Sequence, residues 1–145
     1  MEKDMVIQHD KHKNLLVLIR KGQDTYGYLP EEYMVELAKS LNISLSEVYG
    51  TATFYSFLCT TVQGRNIIRV CKSIPCFLKN YRVIAETIEN KLGIRPGETT
   101  ADGRFSFHLT NCIGACDRAP AMMVNNDVHV DLTPEKISRI LEEYK

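Results

Sequence analysis

Five cysteines stand in the 145-residue chain, and four of them fall into two close pairs, Cys71-Lys72-Ser73-Ile74-Pro75-Cys76 and Cys112-Ile113-Gly114-Ala115-Cys116. The odd fifth, Cys59, leaves a thiol over in any disulfide scheme. The longest purely aliphatic run, Leu15 to Ile19, is bracketed by Lys13 and Arg20. It is too short for the core of a secretory signal and far below the roughly 20 residues of a membrane span. The chain reads as soluble and cytoplasmic, with no direct membrane insertion, in a compartment that keeps thiols reduced. Metal binding or redox chemistry is then the first reading of the pairs. A [2Fe-2S] cluster suits them, because each iron completes its coordination with two thiolates. Structural zinc also takes four cysteines, usually from shorter knuckles. Two disulfides, or four unrelated buried thiols, stay open on spacing alone, whereas the Cys-x-x-Cys of a catalytic dithiol is absent.

The elements around the pairs decide whether they can meet. Three helices precede them. The first is capped at Asp10, carries Leu15, Leu16, Leu18 and Ile19, and breaks at Gly22 and Gly27. The second begins at Pro30 and turns Met34, Leu37, Ala38 and Leu41 to one face. The third opens on a Ser44/Glu47 capping box and carries Val48, Tyr49, Ala52 and Tyr55 toward Phe57. After Gln63-Gly64-Arg65 the texture changes. A strand from Ile67 ends at Cys71, and a helix follows through Phe77, Tyr81, Ile84, Ala85, Ile88 and Leu92 to a cap at Gly93. A second strand alternates from Phe105 to Thr110. Ala121–Val124 and Val128–Asp131 form a hairpin about Asn125-Asn126-Asp127, and Thr133-Pro134 starts a last helix with Ile137, Ile140, Leu141 and Tyr144 inward. A strand-helix-strand unit is normally a right-handed crossover with parallel strands, so Cys71 and Cys112 should leave the sheet at one edge. The fold class is α/β, in thioredoxin-like order: βαβ, then ββα.

Near the pairs, Lys72, Lys79 and the start of the helix after Cys76 offer thiolates positive surroundings. Gly114 and Ala115 leave room for backbone N–H groups to reach sulfur. Other residues invite chemistry and are better explained otherwise. His108 reads as a strand or surface histidine beside four available cysteines, and Cys59 as a buried structural thiol. Tyr49, Phe54, Tyr55 and Phe57 serve either as interface anchors or as core of the helical unit. Gly97 and Gly103 lack the strand-glycine-helix order of a nucleotide site, so no flavin or nicotinamide site is visible. Lys plus Arg balances Asp plus Glu, 18 against 18, which leaves no field for nucleic acid.

The cysteine pairs resemble those of the small [2Fe-2S] subunit of NADH:quinone oxidoreductase, complex I. So do Ile68-Arg69-Val70-Cys71, Gly97-Glu98-Thr99-Thr100, Asp102-Gly103-Arg104-Phe105, Gly27-Tyr28-Leu29-Pro30 and Val48-Tyr49-Gly50-Thr51-Ala52-Thr53-Phe54-Tyr55. The resemblance covers about residues 13 to 143. It implies one [2Fe-2S] cluster on Cys71, Cys76, Cys112 and Cys116, in a thioredoxin-like ferredoxin domain at 63–145. It also implies a helical docking domain at 1–62 that binds an FMN-containing, NADH-binding flavoprotein, with further iron-sulfur subunits beyond. FMN and NAD are then expected on the partner only, and the chain is non-catalytic alone. Similar subunits occur in NAD-linked [FeFe]-hydrogenases, some of them electron-bifurcating, and in NAD-dependent formate dehydrogenases. Ser106-Phe107-His108-Leu109 stands where the family is more acidic, a departure that bears on potential or contacts rather than on ligation. The alternative is a zinc-stapled interaction module without a redox role.

Overall fold

The structure, a computed structural model, describes residues 15–144. Two compact units divide between Val62 and Gln63. No described helix is long and apolar enough to cross a membrane.

The first unit holds three helices: α1 over 15–26, α2 over Glu31–Leu41 and α3 over Leu45–Phe54. The Asp10 cap expected for α1 lies outside the described residues. Leu15 and Ile19 are one turn apart and buried, and they pack with Leu29, Met34, Leu37, Ala38, Val48 and Ala52 into one core. The expected break at Gly22 is corrected: α1 runs through it and stops at Gly27, where φ is 77°. Packing is the reason for a glycine there. A Cβ at position 22 would stand 2.2 Å from the Tyr33 ring, and the Tyr33 hydroxyl donates to the Leu18 carbonyl at 2.7 Å. Gly22→Ala gains about 1 kcal/mol of helix propensity. It must also push a hydrogen-bonded ring out of a packed face, which costs about 1–3 kcal/mol. A lowered denaturation midpoint is therefore expected, reversed when Tyr33→Ala is added.

Pro30 sits just ahead of α2 with extended backbone, not inside its first turn. Ser44 Oγ accepts from the Glu47 N–H at 3.2 Å and opens α3. Only Val48 and Ala52 of α3 are buried. Tyr49 is exposed, and Tyr55 and Phe57, expected on the helix or at its end, follow it and are exposed too, which answers the core-or-interface alternative on the exposed side for these three. The chain after α3 is held by Gln23, which donates to the Phe57 carbonyl at 2.6 Å and accepts from the Cys59 N–H at 2.7 Å. Cys59 is buried in that segment.

The second unit is a four-stranded sheet in the order β2-β1-β3-β4, comprising β1 Asn66–Cys71, β2 Phe105–Thr110, β3 Met122–Val124 and β4 Asp127–His129. β1 and β2 are parallel, in register from Asn66↔Phe105 to Cys71↔Thr110, while β3 is antiparallel to both its neighbours. Between β1 and β2 lie α4, Ile74–Leu78, and α5, Tyr81–Leu92. The last helix, α6, spans Pro134–Glu143, with Thr133 Oγ1 accepting from the Lys136 N–H. Ile84 and Ile88 of α5 and Ile137 and Ile140 of α6 pack on Ile68, Val70, Phe105, Phe107, Met122 and Val124.

Three expectations are corrected in this unit. The single helix after Cys76 is two, because Asn80 takes φ 65° and restarts the chain after a one-turn helix that already contains Cys76. β2 does not alternate between buried and exposed. Its second face, with Ser106 and Thr110, is buried too, and Ser106 Oγ bonds Thr99 Oγ1 at 2.6 Å and the Gly64 N–H at 2.7 Å. The β3-β4 turn is Asn125-Asn126, since Val124 pairs with Asp127. Asn125 has φ 55°, and its side-chain oxygen accepts from the Ile67 N–H at 2.9 Å. The outer edge of β2 is covered by residues 97–100: the Gly97 N–H donates to the Phe107 carbonyl and the Phe107 N–H to the Glu98 carbonyl.

Candidate metal centre

Parallel pairing of β1 and β2 fixes where the four thiols begin. Cys71 ends β1 opposite Thr110, the end of β2, and the Lys72 N–H donates to the Thr110 carbonyl at 2.9 Å. Both chains therefore leave the sheet at the same edge. After Cys71 the chain turns at once into α4, which carries Cys76. After Thr110 it runs through Cys112, takes φ 85° at Gly114 and enters a 3₁₀ turn at Cys116–Arg118. That loop is anchored at its far end, where the Arg118 guanidinium bonds Asp131 at 2.6 Å and the Asp131 N–H donates to the Arg118 carbonyl at 2.9 Å.

The two pairs are unlike. Cys71 and Cys76 are each 1% exposed and form a small apolar floor with Ala121, edged by Tyr81, Ile113, Ala115, Ala119 and Val130. Cys112 and Cys116 are exposed, with their sulfurs 3.2 Å apart. Burial, with the Cys71 thiol beside it, pushes the Cys76 thiol up to about 11, against an opposing pull from the Ala121 N–H. The Gly114 N–H, which donates to Cys112 Sγ at 3.4 Å, holds Cys112 below the ordinary thiol range, with the Cys116 thiol acting the same way. Cys116 is raised, chiefly by Cys112. Gly114 thus supplies the backbone donor that its size allows. Cys76 lies within the first turn of α4, not ahead of a helix as its expected positive surroundings required.

Sequence reasoning missed Ala121. Its carbonyl accepts from the Cys71 N–H at 3.1 Å while its own N–H faces Cys76, so one residue braces both buried thiols. The signal was indirect: a hairpin strand returning beside β1 must bring its first residue to the end where Cys71 stands. His108 is elsewhere. It bonds Gln63 at 2.6 Å, and burial followed by the Arg69 charge keeps its imidazole below the ordinary range.

Among the described residues no three His, Cys, Asp or Glu side chains gather around one ion-sized point. The thiols stand as two pairs at one sheet edge, the donor set that a binuclear centre takes as two thiolates per metal. Four sulfurs, a dry floor beneath one pair and a backbone N–H on one exposed sulfur fit a [2Fe-2S] group.

Comparison with known proteins bears on the same point. Residues 2–145 match the family described as thioredoxin-like [2Fe-2S] ferredoxin. The NADH-quinone oxidoreductase of Escherichia coli (strain K12) has a subunit that is 39% identical over 145 residues, 100% of this chain and 87% of that one. The NADP-reducing hydrogenase subunit HndA of Solidesulfovibrio fructosivorans is 35% identical over 134 residues, 92% of this chain and 78% of that one. The fold is similar to part of an NAD+-reducing [NiFe]-hydrogenase in its H2-reduced state, with a TM-score of 0.74 at 24% identity over 90% of this chain and 22% of that one.

Proposed function

Because the chain belongs to the thioredoxin-like [2Fe-2S] ferredoxin family, we propose that Cys71, Cys76, Cys112 and Cys116 hold its cluster in an electron-transfer subunit of a multisubunit, NADH-linked oxidoreductase. The observation that carries the ligand set is the register of β1 and β2, which delivers both cysteine loops to one edge. A [2Fe-2S] cluster supplies one-electron chemistry and cannot accept a hydride. The residues of this chain do the rest. Cys71 and Cys76 seat the buried side, Ala121 braces them, Gly114 donates to an exposed sulfur, and the Arg118–Asp131 pair fixes the loop. The zinc reading has no comparable support, since the cofactor of the family is iron and sulfide.

The relatives named above belong to quinone-linked and NADP-linked complexes. By that kinship the chain serves a complex of the same sort, with an FMN-containing, NADH-binding flavoprotein as its fixed partner and the cytoplasm as its place of work. The separate helical unit, with its exposed aromatic side chains, is the docking domain, and residues 63–145 form the ferredoxin domain. The isolated chain should show a visible charge-transfer spectrum and bleach with dithionite, giving a paramagnetic signal. NADH alone should leave it unchanged. A colourless preparation with stoichiometric zinc, or rapid bleaching by NADH without a flavoprotein, overturns the proposal.

Assembly should depend on pH. Burial pushes the Cys76 thiol up to about 11, which extends the pH range over which it keeps its proton, and a thiol must shed its proton to bind metal. The raised value favours the proton-bound, metal-free form, so loading strengthens as pH rises toward 11 and weakens as it falls. The expected slope is about tenfold in apparent affinity per pH unit for each proton released. Iron loading of the metal-free chain, followed by absorbance across a pH series, measures it.

A further inference from the structure

The five-residue helix α4 buries one residue, Cys76. Its other large side chains point to solvent: Ile74 is 74% exposed, Phe77 50% and Leu78 75%. Folding alone gives no reason to leave three large apolar groups outside on one turn while a thiol is inside, and such a patch marks an interaction surface. The charged residues in the stretch around it are of one sign. From Lys72 to Arg82 the chain contains Lys72, Lys79 and Arg82, all exposed, and no Asp or Glu. The Arg82 guanidinium lies over the Phe77 ring, 5.3 Å from its centroid, so cation and apolar patch are one surface.

We infer that α4 and its basic rim form the face through which electrons enter or leave, seated against a protein surface with an apolar centre and a carboxylate rim. This rests on the reading above that Cys76 is a cluster ligand. Given that reading, the patch is the outer side of the same helical turn whose inner side carries the sulfur. A partner pressed onto it is separated from the site by one turn of helix and no water. The other loop offers no such surface. Ile113 and Ala115 there are half-buried, and the Arg118 charge is already matched by Asp131. An apolar centre excludes water and an opposite-charge rim sets orientation, which is how specific transient surfaces are built. A basic, apolar turn could also meet an anionic lipid surface. Continuity with Cys76 favours a protein, because a bilayer offers no electron to exchange. The transfer moves one electron from the partner's reduced centre to the thiolate-held site. The partner is oxidised by one electron, and no bond is made or broken.

The test uses the full-length chain, both alone and in the native complex with its co-purifying flavoprotein. One variant combines Lys72→Glu, Lys79→Glu and Arg82→Glu; the other combines Ile74→Ser and Leu78→Ser. Since all five side chains are exposed, the isolated chain should keep its visible spectrum and its iron content in both variants. The serine variant, which leaves the Lys72 and Lys79 charges in place, should also keep its midpoint potential, whereas the charge-reversed one lowers it and is compared with the wild type at matched driving force. In the complex, stopped-flow bleaching of the site by NADH should slow about tenfold or more. An unchanged bleaching rate in both variants, with the spectrum intact, overturns the inference. So does co-sedimentation of the wild-type chain, but not the charge-reversed one, with phosphatidylcholine/phosphatidylglycerol vesicles while the NADH rate stays the same, because the patch is then a lipid surface. The charge-reversed variant removes no buried side chain, losing only the exposed Arg82–Phe77 contact, so it reports even if the double serine variant misfolds. A wild-type chain without iron and sulfide is a different failure: it removes the ligand reading, and this inference with it.

Discussion

Serine at Cys71 or Cys76 will leave the chain without its native visible spectrum and with little bound iron, while Cys59→Ser will change neither. The contrast follows from position. Cys71 and Cys76 are the dry floor of the site, where a serine hydroxyl is a weaker, harder ligand to deprotonate and no water can take its place. Cys59 lies in the helical unit, buried, with its backbone held by Gln23 and Leu29, so serine there adds a hydroxyl to the interior and costs about 1–3 kcal/mol of that unit's stability at most. Serine at Cys112 or Cys116, which face solvent, should weaken the centre and alter its absorption. Iron and acid-labile sulfide assays together with spectra check all five variants. Bleaching by Cys59→Ser, or a full native spectrum in Cys76→Ser, refutes the ligand set.

Cutting the chain to residues 63–145 should preserve the spectrum and abolish stable association with the flavoprotein. The sheet, helices α4, α5 and α6 and all four paired cysteines lie within that unit, and so do the residues described in its buried clusters. What the fragment lacks is the helical unit, whose Tyr49, Phe54, Tyr55 and Phe57 are exposed, Phe54 by 79%. Beside Tyr49 a depression of about 570 Å³ runs between α2 and α3, lined by Glu31, Met34, Leu45 and Ser46 and by Thr60 and Thr61 beyond α3. Exposed aromatic groups are the usual anchors of an interface. Phe54→Ala and Tyr55→Ala should each weaken binding of the full chain by about 2 kcal/mol, roughly thirtyfold. Because the side chains are exposed, the unit's own stability should move by no more than about 0.5 kcal/mol. Pull-down and denaturation of the same variants separate these effects. Full-strength co-purification of the fragment places the docking surface on the ferredoxin unit instead.

The parts of this structure that sequence made readable are those decided by neighbours along the chain. The end of β1 at Cys71, the Gly93 cap, the Ser44 and Thr133 caps and the inward residues of α6 all follow from local periodicity and capping chemistry. The convergence of the two cysteine loops was legible as well, since it needs only that consecutive strands pair in parallel. The misses have distant causes. Tyr81 follows Phe77 at a helical interval, and only the left-handed backbone of Asn80 shows that they belong to different helices. Ser106 and Thr110 look solvent-facing. They are buried, and Ser106 is satisfied by Thr99 and Gly64, whose proximity no local pattern encodes. Gly22 reads as a helix breaker because the Tyr33 ring that occupies the space above it is invisible to α1. Likewise the spacing of Tyr49, Phe54 and Tyr55 fits core and interface equally, and only the fold puts them outside.

The covered edge of β2 matters most before the complex exists. A subunit synthesised apart from its partners waits as an orphan, and an open strand edge is then the first place where two orphans stick together. Here the Gly97–Thr100 stretch already occupies that edge through Gly97, Glu98 and Thr100, and the opposite border is the three-residue strand Asp127–His129, too short to template much. The ferredoxin unit can therefore wait in solution with its sheet sealed. What stays adhesive is the aromatic surface of the helical unit and the α4 patch of Ile74, Phe77 and Leu78, so an unassembled copy is more prone to capture by chaperones, or to loss by proteolysis, through residues 49–57 and 74–78 than through its sheet.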